Sequence, residues 1–104
     1  MIGPALRALT SGHIWKGYVP AGPGEKTPFF QQFDLDSHVV YKGARSLMSG
    51  TVALSNDQVC LRFDGYFWGR PLCGSVYRNA PAGTDDAGYV HVMPDQLRYF
   101  SLSN

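Results

Sequence analysis

The chain's only two cysteines, Cys60 and Cys73, bracket the segment Cys-Leu-Arg-Phe-Asp-Gly-Tyr-Phe-Trp-Gly-Arg-Pro-Leu-Cys, and that bracket restricts the fold more than any other feature. Pairing the flanks about the midpoint sets Cys60 opposite Cys73, Val59 opposite Gly74 and Leu61 opposite Leu72. In this register the apolar residues share one face and the cysteines the other, as the two-residue period of a half-buried antiparallel pair requires. Directly opposed residues in such a pair have Cα atoms about 4.5 to 5.5 Å apart, within reach of a disulfide. The segment therefore predicts a cross-strand disulfide beneath an aromatic hairpin loop. With it goes an oxidising compartment, periplasmic or secreted.

The 104 residues are enough for one domain, 1–104, and small enough for a covalent staple to matter. Nine basic and eight acidic residues give a net charge of +1 with no run of either sign. No electrostatic footprint for nucleic acid or an anionic membrane results. No stretch approaches the roughly 20 apolar residues of a membrane span, and the first residues lack the basic start and apolar core of a signal peptide. An exported form is therefore expected to have lost its signal.

Glycine and proline punctuate short segments rich in aromatic and β-branched residues, the pattern of a meander folded into a sandwich or barrel. Strands are predicted at His13 to Val19, Pro28 to Asp34, His38 to Lys42, Met48 to Leu54, Gln58 to Phe63, Leu72 to Arg78, Gly88 to Met93 and Leu97 to Leu102. A helical turn at Pro4 to Leu9 offers Leu6 and Leu9 to plug one end of the core. The expected fold is all-β: a single small eight-stranded antiparallel up-and-down barrel with a short N-terminal helical turn. Alternation sends inward Trp15, Gly17 and Val19; Phe29, Gln31 and Phe33; Val39 and Tyr41; Met48, Val52 and Leu54; Val59, Leu61 and Phe63; Leu72 and Val76; Val90 and Val92; Phe100 and Leu102. These are large side chains, so a filled barrel is expected. Segments 20–27 and 79–87 read as surface loops that form no ladder, and Asp34 to Ser37 reads as a turn.

The loop between the cysteines carries Tyr66, Phe67, Trp68 and Arg70 where a hairpin tip is ordinarily polar. Tyrosine, tryptophan and arginine combine large contact area with a polar handle and are enriched in binding hot spots. The loop is thus either a recognition element or a flap whose Phe67 and Trp68 fold back over a barrel end. Arg98 shares its face with Phe100 and Leu102. It is expected either to stack on Trp15 across the closing strands or to snorkel at the rim.

The histidines at 13, 38 and 91 have none of the short spacings of zinc sites, and neither Asp34/Asp36 nor Asp85/Asp86 fits a calcium loop, so no metal and no cofactor is expected. No nucleophile elbow or phosphate-cradling glycine motif is present. Glu25 is the only glutamate and lies in a loop, which leaves turn aspartates for acid/base work. An enzyme is not expected. One using His13, His91 and an aspartate would need them in a single cleft.

A short N-terminal helix, then Gly12-His-Ile-Trp15 opening the first strand, then Arg98 in the last, resembles the lipocalin and calycin class of small barrels, although lipocalins place one residue between that glycine and tryptophan. The length, the Leu-rich start, Trp15 and the single disulfide also resemble the periplasmic barrel inhibitors of bacterial secreted metalloproteases. Leu9-Thr-Ser-Gly12 with the later cysteines resembles small exported bacterial proteins. The resemblance implies a barrel and, for the inhibitors, an N-terminal segment that plugs a protease cleft. Two functions are carried forward. One is a non-enzymatic exported protein binding a protein partner or small apolar ligand through Tyr66, Phe67, Trp68 and Arg70; the other is a protease inhibitor acting through residues 1–12.

Overall fold

A computed structural model of the chain describes residues 3–44, 46–78 and 88–103. Helix α1 (Gly3–Thr10) is followed by eight strands: β1 (Ile14–Gly22), β2 (Glu25–Phe33), β3 (His38–Lys42), β4 (Leu47–Leu54), β5 (Val59–Phe63), β6 (Leu72–Arg78), β7 (Tyr89–Val92) and β8 (Leu97–Leu102). Each pairs antiparallel with the next and β8 closes on β1, giving an up-and-down barrel. Closure leaves no unpaired sheet edge.

The register fixed by the cysteines is the one observed: Val59 pairs with Gly74, Cys60 with Cys73 and Leu61 with Leu72. The disulfide joins Cα atoms 4.0 Å apart, on the outer face. Val59, Leu61 and Leu72 point inward and are buried.

Aromatic rings fill the interior. Trp15, Phe29, Phe33, Phe63 and Phe100 are each below 2% exposed. Trp15 and Phe100 stack at 3.7 Å across the β1–β8 seam. Room for them comes from inward positions held by glycine: a Cβ on Gly17 would lie 1.8 Å from the Tyr99 carbonyl oxygen, and one on Gly50 equally close to that of Arg62. There the neighbouring strand's backbone comes up against the glycine's own. Leu6 and Leu9 of α1 close one end, and the Trp15 indole N–H donates to the Leu9 carbonyl at 2.8 Å. At the same end the Asp34–Ser37 turn is fixed by the Asp34 carboxylate, which accepts from the backbone N–H groups of Asp36 and His38. Those bonds, His38 first, hold the Asp34 carboxyl below its ordinary range.

Three expectations are corrected. Segment 20–27 is not an unpaired loop, since β1 and β2 run on as a hairpin with Val19 opposite Thr27, Pro20 opposite Lys26 and Gly22 opposite Glu25. Pro23 and Gly24 occupy its two central positions, and a glycine at φ 76° after proline suits a type II turn. Val90 and Val92 do not point inward. His91 does, level with Val76 and Arg98, and is fully buried while Val92 is 39% exposed. The valine-histidine-valine alternation fits either parity, and the turn bond from the Met93 N–H to the Gln96 carbonyl sets the register that decides it. Leu102 keeps its parity but reaches the rim, where it is partly exposed. Segment 79–87 lies outside the described residues.

Candidate functional site: the stapled aromatic loop

The loop of residues 64–71 joins β5 to β6 at the end of the barrel opposite α1. Its backbone is unusual: Phe67 and Trp68 have φ of 52° and 55°, and flanking Gly65 and Gly69 are also left-handed. Bulky non-glycine residues rarely adopt this conformation, which costs of order 1 to 3 kcal/mol each and persists only where surroundings impose it. Here the surroundings are explicit. The Arg62 Nε–H donates to the Gly69 carbonyl at 2.8 Å. The Gly69 and Arg70 N–H groups close turns on the Tyr66 and Phe67 carbonyls, each at 3.0 Å. The Asp64 N–H is tied to the Ser49 carbonyl, and the disulfide lies below the loop.

The two alternatives for the aromatic residues divide between them. Tyr66 and Phe67 fold back and pack, partly buried, against the core, with the Tyr66 ring edge-on to Phe63. The Tyr66 hydroxyl donates to Asp95 in the β7–β8 turn at 2.9 Å, latching two loops together. Burial, then this bond to a carboxylate, raises the Tyr66 phenol above its ordinary value. Trp68 turns the other way and is 85% exposed, and Arg70 is exposed beside it. An open groove of about 580 Å³ adjoins the loop, lined by Ser49, Thr51, Arg62, Asp64, Gly65 and Gly69 among others. Two further recesses, one beside Arg7 and Leu35 and one beside Tyr18 and Glu25, are also open at the surface, and the core positions are occupied by large side chains.

Beneath the same barrel end lies a polar cluster. Arg98 is fully buried, with its guanidinium 4.3 Å from the Tyr41 ring centre and 5.8 Å from that of Phe63. The stacking partner is therefore Tyr41 rather than Trp15, whose face is taken by Phe100. Arg98 Nη1 donates to Gln31 Oε1 at 2.6 Å. The Gln96 amide, oriented with its oxygen toward the guanidinium, accepts from Nη2 at 3.0 Å and Nε at 3.3 Å. No carboxylate oxygen among the described residues reaches Arg98 within salt-bridge distance. Burial lowers the pKa of the guanidinium, though not enough to discharge it.

His91, level with Arg98 on the neighbouring strand, has Nε2 at 3.1 Å from the carbonyls of Val59 and Gly74. Carbonyls only accept, so Nε2 carries the proton and Nδ1 is left as a buried atom without a partner. Desolvation, reinforced by Arg98, lowers the His91 pKa to about 4. Sequence reading did not place this histidine inward because it stands between two valines in a strand, where parity alone tells it from a surface residue.

His38 instead pairs with Asp34 at 3.1 Å on the surface. No group of three or more His, Cys, Asp or Glu side chains suited to a metal occurs among the described residues. No described helix is long and apolar enough to cross a membrane. Residues 3–10 form α1, whose Leu6, Leu9 and Thr10 are consumed in closing the barrel. Comparison with protein families, curated proteins and solved structures finds no match for this chain.

Proposed function

We propose that this chain is an exported, non-enzymatic binding protein that grips a protein partner through the stapled loop, with Trp68 as the anchor and Arg70 beside it. The observation that supports this reading is an 85%-exposed tryptophan on a left-handed backbone that a disulfide and a set of hydrogen bonds hold in place. Ordering the loop before contact removes part of the entropy cost of association. Tyr66 and Phe67 serve as its footing rather than its contact surface. A protein partner fits better than an enclosed apolar ligand, because the interior is packed and the groove beside the loop is open. Export accords with the disulfide.

The inhibitor reading implied by resemblance has less support, since α1 contributes its apolar face to the barrel and, among its described side chains, presents Pro4, Ala5, Arg7 and Ala8 outward. Affinity capture from an extracytoplasmic fraction with wild type, Trp68→Ala and Arg7→Glu tests both. Loss of a partner with Trp68→Ala alone is the expected result. Retention with Trp68→Ala and loss with Arg7→Glu would transfer the function to the helix.

A further inference from the structure

The Arg98 cluster carries more charge than it can internally balance. A buried guanidinium ordinarily has a carboxylate for a partner, because neutral acceptors offset little of the cost of removing a cation from water. Arg98, at 0% exposure, has two amide oxygens and an aromatic face. Gln31, also fully buried, adds an amide Nε2 with no acceptor, so the cluster is in surplus of donors as well as of positive charge.

The geometry at Gln96 shows what would fit. Its oxygen accepts from Nε and Nη2 together, the side-on edge of the guanidinium that a carboxylate grips with two parallel bonds. Gln96 is only partly buried and stands in the β7–β8 turn between exposed Asp95 and Leu97, so its side chain can swing into water without unpacking the core. From these relations we infer that the outer edge of Arg98 is a carboxylate-binding site at the loop end of the barrel, with Gln96 as its exchangeable internal occupant. The carboxylate takes the place that the Gln96 oxygen now holds on Nη2 and Nε, next to the Tyr66–Asp95 latch. Asp95 favours the Arg98 charge only through space and does not provide the missing partner. The inference rests on the reading that this end of the barrel is the binding end, and it adds that the bound group is an anion of planar, two-oxygen form, whether a free organic acid or a peptide C-terminus.

The test is NMR titration of the whole protein, following the Arg98 Nε–H and Gln96 side-chain amide signals. Phenylacetate represents a free acid and N-acetylphenylalanine a peptide terminus, with the amide of each as a neutral control. A saturable shift of both signals with either acid and none with the amides is expected, and the tighter acid identifies the source. Gln96→Ala, which removes the internal competitor, should tighten binding by roughly threefold or more. Gln96→Glu, which supplies a tethered carboxylate, should weaken it by about tenfold or more and leave the barrel folded. Equal shifts from acids and amides, no saturation with either acid, or an affinity unmoved by both Gln96 substitutions would overturn the inference. None of these results bears on partner capture by Trp68→Ala, so the two readings fail separately.

Discussion

Trp15 and Phe100 lie face to face across the seam where the last strand closes on the first, their rings 3.7 Å apart and 8° from parallel. The contact is the aromatic clasp of the barrel, and its position follows from Gly17, which pairs with Phe100 and clears the space its ring enters. Phe100→Ala should therefore cost about 3 to 5 kcal/mol, the range for deleting a buried aromatic side chain. Urea unfolding followed by near-ultraviolet circular dichroism measures it, and a loss below about 1 kcal/mol would mean that the seam is held elsewhere.

The close backbone approach at Gly50 leaves no room for a side chain, with the Arg62 carbonyl oxygen 1.8 Å from where a Cβ would stand. Backbone cannot yield there as a flexible side chain would. Gly50→Ala is expected to prevent a stable barrel from forming, seen as loss of dispersed amide resonances, whereas Gly88→Ala, in open space and without a positive φ, should leave the spectrum dispersed.

His91 predicts an acid limb in stability. Its folded pKa, about 4, lies below the ordinary 6.5, so the unfolded chain takes up the proton first as pH falls. Stability is fully present above pH 6.5 and declines down to about pH 4, by about 3 kcal/mol in total from this group. Denaturation at a series of pH values should show the decline, and His91→Gln, which keeps a donor toward Val59 and Gly74, should flatten it.

Much of this arrangement is legible in the chain. The cysteine spacing with Val59, Leu61 and Leu72 determines one hairpin register, and the spans of β3, β6 and β8 follow from their alternation and turn residues. The rest fails where a local pattern admits two answers. Val90-His91-Val92 alternates equally well in either parity, and only pairing with Val76 and Arg98 decides it. The run Pro20-Ala-Gly-Pro-Gly reads as an unpaired loop, yet its own Pro23-Gly24 turns a paired hairpin. At the candidate site, composition marked Tyr66, Phe67, Trp68 and Arg70 together. Which ring faces the core depends on left-handed residues at 67 and 68 and on the distant Asp95, and no local propensity encodes either.

The disulfide closes a loop of 13 residues' separation, which by loop-closure entropy stabilises the fold by about 3 kcal/mol. Cys60→Ser with Cys73→Ser should lower the unfolding free energy by about that amount. Three strand pairings away, the Trp15–Phe100 clasp should persist in the mutant, and its near-ultraviolet signal provides the check.

Whether the staple holds Trp68 out in water is decided by iodide quenching of the two tryptophans. Trp15 is fully buried and Trp68 is 85% exposed, so wild type should show one quenched and one protected emission, and Trp68→Phe should leave only the protected, blue-shifted one. Two protected tryptophans in wild type would mean that Trp68 folds onto the barrel with Tyr66 and Phe67, and the loop would then offer no anchor to a partner.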